Sequence, residues 1–434
     1  MPDTPDLWPA ADLTRRVGGA LDTAARAVAA LADHGYVDRD HPHEPLRPEK
    51  VVAETGLLLL AAAGARGRSG AVRERFDAVV AQLLPHARGE RVAAALCLAP
   101  TRARDHALAH CCLSRLGYPD PAFDRLFAAS LDACHPGGPE RLPHRQLEQD
   151  WLARLWDPRH RPSAAGGAAA GLSVLNAPLD ILGLDRDAVY ALTHAVMYIT
   201  DLGARRPALP RPAALIEADA DAALAFCLDT EDYDLAGEVL LTWPLLRRRW
   251  SPLAVFTFGV LASLEDRAGF LPGLSLDIDR FHQLEGAERT TYALASSYHT
   301  AFVMGLLCAC CLRPGARPPV AVPALATGDG GPAPTLLAGA VAGSEDRHWV
   351  AYYRRLSPAQ RASIASLPLT IAIRRAAAVP DLGATRDALI AATRLGLTDA
   401  PAARQAGDLL QRAMLLEDAR AGVVGYAAQA SVAS

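Results

Sequence analysis

Lysine is all but missing from this chain. Lys50 is the single one among 434 residues, so positive charge rests almost wholly on arginine. The 44 basic residues are outnumbered by 48 acidic ones, and a net charge of −4 leaves no broad basic surface for nucleic acid. The densest basic run, Arg247-Arg248-Arg249, reads as a solvated helix end. The amino terminus, MPDTPDLWPAADLTRR, lacks the basic-then-apolar order of a secretory signal. No segment reaches the ~18 uninterrupted apolar residues that a bilayer crossing needs. The 8 cysteines, at 97, 111, 112, 134, 227, 308, 310 and 311, cluster in apolar helical text instead of forming a disulfide frame. These absences lead to the expectation of a cytoplasmic protein with no membrane partner and no nucleic-acid partner.

Motifs for several chemistries are missing too. No phosphate-cradling G-x-x-x-x-G-K-[ST] loop, strand-borne G-x-G-x-x-G, G-x-S-x-G elbow or H-E-x-x-H zinc helix occurs. His110-Cys111-Cys112 and Cys308 to Cys311 hold zinc-ligand types, but adjacent helical residues diverge by about 100° and no second pair completes the C-x-x-C. Those cysteines read as small buried hydrophobes. Asp277-x-Asp279 reads as a cap before Phe281. The expectation is a site without cofactor or metal.

What is present is helical. Hydrophobic residues are 51% of the chain and charged ones 21%, as in a folded globular protein. The 3.6-residue period recurs along most of the text while strand-like alternation is scarce. It predicts helices over 13–33, 48–64, 71–84, 104–116, 121–133, 143–156, 186–201, 210–228, 232–247, 252–268, 287–312, 358–376, 383–394 and 402–417. Pro48-Glu49 suits a first turn, and Gly117 and Gly203 stand where helices should stop. Residues 34–47 and 157–170 read as loops, and 313–347 as a linker. The fold class is therefore all-α, with antiparallel helical hairpins forming an α/α toroid or solenoid-like array. A main helical domain over 1–320 is followed by a small carboxy-terminal helical segment over 345–434 packed on it. Tyr190-Ala191-Leu192 and Tyr292-Ala293-Leu294 form a faint internal echo, each followed by a histidine and, thirteen residues after its tyrosine, a glycine.

Polar residues on apolar helices mark the candidate site. Tyr190, His194, Tyr198 and Asp201 share one stripe at i, i+4, i+8 and i+11, and Tyr292, Ser296 and His299 share another. Such stripes face either a wet cavity or hydrogen-bonded neighbours in a core. In the first case His194 and His299 are the acid–base candidates, Tyr198 a proton donor and Asp201 an orienting or charge-balancing group. Arg145 is placed to clamp an anion, with Glu148 three residues on; the alternative is a surface ion pair between the two. Asp232 and Asp234 charge a helix amino terminus, whereas Glu238 falls far enough along to point inward. Arg145, Glu148, Tyr190, Glu238, Tyr292 and Ser296 complete the candidate substrate-binding set.

The strings DHALAHCCLSRLGYPDPAFDRLF, LPHRQLEQDWLARLW, YALTHAVMYITDLG, DYDLAGEVLLTWPLL and YALASSYHTAFVMGLLCA together resemble an actinobacterial helical family found near natural-product biosynthetic genes, over about residues 50–312. A more distant, fold-level likeness is to α-toroid cyclases such as lanthipeptide and terpenoid cyclases. The zinc-type lanthipeptide pattern is reversed here, His110-Cys111 standing for Cys-His, and the acidic motif of protonating terpene cyclases is missing. The resemblance implies an enzyme of natural-product biosynthesis performing cyclisation or elimination on a modified peptide or small molecule, in company with other biosynthetic enzymes. The other reading is a non-catalytic helical scaffold that binds a peptide or partner in a biosynthetic complex.

Overall fold

The computed structural model describes residues 6–31, 48–133, 140–160, 164–325, 335–379 and 381–432. Among these the protein is all-helical, with a single isolated bridge, Leu7 to Pro319, and no strand. The predicted loop 34–47 and Cys134 lie outside the described residues.

The first helix, Ala10–Ala29, shows how the elements form. Its buried Leu13, Val17, Leu21, Ala24 and Val28 recur at three- and four-residue steps, so one face is apolar and seeks a partner. That partner is the helix Gly286–Cys311, buried nearly all round from Ser296 onward. A Cβ on Gly305 would run into Ala20 and crowd Leu58, so the glycine lets this helix approach the helices Ala10–Ala29 and Pro48–Ala62 closely. By length and composition Gly286–Cys311 is apolar enough to cross a membrane, but 78% of its apolar window is buried inside the protein, as in a core helix.

Several boundaries differ from the sequence reading. The segment 157–170 is not loop throughout, because Ala164–Leu172 is helical: its alanines outweigh the glycines that suggested a loop. The linker 313–347 contains the helix Thr335–Ala342. The helix predicted over 186–201 stops at Ile199, since Asp201, Leu202 and Gly203 all take positive φ. Short helices at Glu90–Leu98, Ile278–Gln283 and His348–Tyr353 carried too few turns to show a period.

The carboxy-terminal helices rest on the body through named contacts. Arg374 donates to the carbonyls of Ile181 and Leu184, and Gln405 accepts from Ile181 N at 2.6 Å. Glu231 accepts from the backbone N and ring Nδ1 of His348, both at 2.9 Å.

Candidate functional site

Five helices bring their polar residues to one place: Pro143–Trp156, Arg186–Ile199, Tyr233–Leu240, Gly286–Cys311 and Pro48–Ala62. Local chemistry starts the first three. Asp185 caps the second, accepting from Ala188 N at 2.8 Å, and Asp232 caps the third, accepting from Leu235 N at 3.1 Å. Pro143 opens the first at a position where its missing N–H costs nothing.

Glu238 joins them. It is only 4% exposed and each carboxylate oxygen faces a different histidine. Oε2 accepts from Thr193 Oγ1 at 2.6 Å and lies 3.7 Å from His194 Nδ1, while Oε1 lies 3.7 Å from His299 Nε2. On the His194 side the line continues outward. The Tyr190 and His194 rings stack at 3.7 Å, Arg145 donates to Tyr190 Oη at 3.2 Å and to Glu148 Oε2 at 2.9 Å, and Tyr198 Oη donates to Glu148 Oε1 at 2.7 Å. The Arg145–Glu148 pair is therefore tied into the interior and is more than a surface ion pair. On the other side His299 Nδ1 lies 2.9 Å from Glu54 Oε2, and Nε2 lies 3.3 Å from Asp234 Oδ1. Arg186 spans Asp232 at 2.8 Å and Asp234 at 3.4 Å.

The two histidines sit in opposite electrostatic settings. Burial dominates at His194 and lowers its pKa, outweighing Glu238 and Glu148. Its Nδ1 is 3.0 Å from the Tyr190 carbonyl, which can only accept, so the ring proton sits on Nδ1 and Nε2 keeps a lone pair. At His299 burial again opposes charge, but Asp234, Glu54 and Glu238 overcome it and hold the pKa well above the usual range. Burial raises Asp234 to about 6 against the pull of His299. Burial would also raise Glu238, yet the flanking histidines and the Thr193 hydroxyl keep it below the usual carboxylate range. The Tyr198 phenol is pushed far up by burial and by Glu148, and so remains a hydroxyl donor. Burial, with Arg145 and His194, brings the nearby His144 down to about 4.

Seven of the ten residues singled out from the sequence meet here: His194, Tyr198, His299, Arg145, Glu148, Tyr190 and Glu238. Three do not. Asp201 lies past the helix end and accepts from Trp151 Nε1 at 2.6 Å, so it anchors a turn against an indole and balances no histidine. Tyr292 Oη accepts from Asp277 N at 2.8 Å and so secures the 273–277 loop on its helix, while the Ser296 hydroxyl donates back to the Tyr292 carbonyl at 2.6 Å within that helix. The internal echo dissolves for the same reason. Gly203 is a turn glycine at φ 81°, whereas Gly305 is a helix-packing glycine. Glu54, Asp234 and Thr193 were missed. Glu54 carried a signal, as a lone acid in the apolar run VVAETGLLLL.

The cysteine motifs hold no ligand set among the described residues. Cys111, Cys112, Cys308, Cys310 and Cys311 are buried thiols, and burial raises each pKa. His110 is held by Arg88 at 3.1 Å and Asp124 at 2.9 Å. Among the described residues the group that could hold a cation is instead Asp234, Glu238 and His299, whose ligand atoms lie within 4.8 Å of one another.

Comparison with curated proteins and with solved structures finds no match. A family profile described as a domain of unknown function, DUF6895, matches residues 17–309, more than half of the chain and every residue of the cluster from Glu54 to His299. The chain belongs to the DUF6895 family.

Proposed function

We propose that this protein is an enzyme of natural-product biosynthesis that performs acid–base chemistry, a cyclisation or an elimination, on a modified peptide or small molecule. It works in the cytoplasm, inside helical hairpins arranged as an α/α toroid. The observation that carries the reading is Glu238, buried between two histidines and continuous with a Tyr–Arg–Glu line that opens toward solvent. Side-chain exposure rises from 5% at Glu238 to 24% at His299 and 40% at Arg145, so a substrate approaches from the more open ends. His194 Nε2 takes a proton from the substrate, and the Tyr198 or Tyr190 hydroxyl returns one to the developing oxyanion or leaving group. Arg145, steered by Glu148, holds an anionic substrate group. The two steps together conserve charge, leaving an imidazolium on His194 and a phenolate on the tyrosine, and return of the proton from the first to the second resets the site.

The test is to incubate small-molecule extract of the native cells with wild-type protein and with the His194→Ala variant, and to compare products by mass spectrometry. Cyclisation appears as a species of unchanged mass and altered retention, and elimination as loss of a small neutral molecule, with wild type alone. Equal conversion by both proteins, or none by wild type, overturns the reading.

A second reading, a scaffold that binds a peptide or partner enzyme, draws on a separate cavity of about 400 Å³ lined by Val52, Ala53, His86, Val92 and His106. It predicts that an extract component binds the protein and emerges unchanged.

A further inference from the structure

We propose that Asp234, Glu238 and His299 form a binding site for one divalent transition-metal cation, with Glu54 orienting the imidazole. The inference goes beyond the acid–base reading and does not depend on it, because it rests on ligand geometry and is read without turnover. It also departs from the expectation of a metal-free site, which looked for ligands among the cysteines.

Four observations converge. First, the distances suit a cation. His299 Nε2 lies 3.3 Å from Asp234 Oδ1 and 3.7 Å from Glu238 Oε1, and ligands held at about 2.1 Å around a tetrahedral ion stand about 3.4 Å apart. Second, the other ring nitrogen, Nδ1, faces Glu54 Oε2 at 2.9 Å. A metal-bound imidazole characteristically turns its second nitrogen to a carboxylate, which fixes the ring and strengthens the ligand. Third, Asp234 is only 7% exposed, yet its Oδ1 makes no aligned hydrogen bond and has only the ion-pair contact with His299 Nε2 at 3.3 Å. Buried oxygens seldom go without a hydrogen bond, and an ion between Asp234 and His299 takes its place.

Fourth, the charge is unbalanced. The carboxylates of Glu54, Asp232, Asp234 and Glu238 face Lys50, Arg186 and His299, and the Lys50 and Arg186 side chains are about half exposed. Even with a proton on His299 one negative charge remains. A divalent ion taking that proton's place leaves the group neutral. Two carboxylates and one imidazole match zinc, manganese or ferrous iron better than magnesium or calcium, which seek all-oxygen sites. His194 lies beyond the far oxygen of Glu238, so the cation adjoins the acid–base line.

The experiment uses the full chain, stripped with chelator and titrated with Zn²⁺ in a calorimeter. One equivalent binds the wild type. Asp234→Asn and His299→Ala weaken binding at least about 100-fold, and Glu54→Gln weakens it roughly 10–100-fold with the stoichiometry kept. X-ray absorption of the zinc-loaded wild type shows only nitrogen and oxygen neighbours at about 2.0–2.2 Å, a result that stands whether or not each variant folds. No saturable binding by wild type, unchanged affinity in folded Asp234→Asn and His299→Ala, or sulfur neighbours at about 2.3 Å each overturn the proposal. His194→Ala removes no ligand and keeps binding of one equivalent of zinc, which separates this site from failure of the acid–base reading.

Discussion

Around Arg16 one guanidinium meets three carboxylates; around His299 one imidazole does the same, and the two regions solve the problem differently. Arg16, with its side chain 1% exposed, donates to Asp12 and Asp266 at 2.8 Å each and to Glu265. Arg15 adds a second cation on Asp12 and Asp266, and Trp8 Nε1 donates to Asp12 at 2.6 Å. Five N–H groups in a planar fork can address three acids at once. An imidazole has at most two N–H groups and cannot satisfy three acids, and Glu54 Oε2 and Asp234 Oδ1 keep only ion-pair contacts with His299, at 2.9 and 3.3 Å, with no aligned hydrogen bond. The Arg16 cluster is complete and reads as structure. The His299 cluster holds unspent ligand capacity at a cost in stability, as functional sites do.

The largest effect should come from Arg16→Met, which strands Asp12, Glu265 and Asp266. It should cost about 3–5 kcal/mol in chemical denaturation. In chelator-treated protein, Asp234→Asn at the other cluster should change stability by less than about 1 kcal/mol or raise it, because it removes a surplus negative charge. Equal losses at the two sites would erase the distinction between them. Next comes Gly305→Ala, which presses a methyl group into Ala20 and separates the helix bearing His299 from the helix bearing Arg16. A loss of about 1–3 kcal/mol in thermal unfolding is expected.

Glu231 supplies a third pattern, a carboxylate saturated with donors. Burial would raise its pKa, but His348 and Tyr233 hold it at about 2, below the ordinary 4.5. A depressed carboxyl stabilises the fold above its unfolded pKa. That contribution is complete above about pH 4.5 and disappears as pH falls toward 2. Its side chain is 23% exposed, so Glu231→Gln should cost only about 1–2 kcal/mol at pH 7 and little at pH 2, in denaturant titrations at both values. The smallest effect belongs to Tyr292→Phe. Losing the acceptor for Asp277 N should cost about 0.5–1.5 kcal/mol and leave zinc affinity unchanged. A Tyr292→Phe variant that bound zinc more weakly would place that phenol back in the site.

Much of the helical layout was legible in the sequence, and the span Pro143–Trp156 matches its prediction end to end. Long amphipathic helices announce themselves because burying one face forces a period onto the text. The stripe Tyr190–His194–Tyr198 was legible for the same reason. Its extension to Asp201 failed because three successive residues with positive φ turn the chain away after Ile199. Asp234 was read as a charge at a helix amino terminus, a role that Asp232 fills with its cap. Nothing local separates two acids two positions apart on a short helix.

The sequence by itself determined that this chain folds into helices and which faces of them are polar, because backbone propensity and hydrophobic period act over one or two turns. Only the tertiary structure decided which polar faces meet. The pairing of Glu54 with His299, and of both with Asp234 and Glu238, joins residues as far apart as 54 and 299, and depends on helix approach set by packing at Gly305 and Ala20. A helical period fixes the angle of each side chain about its own axis; the direction of that axis comes from the packing of the whole core.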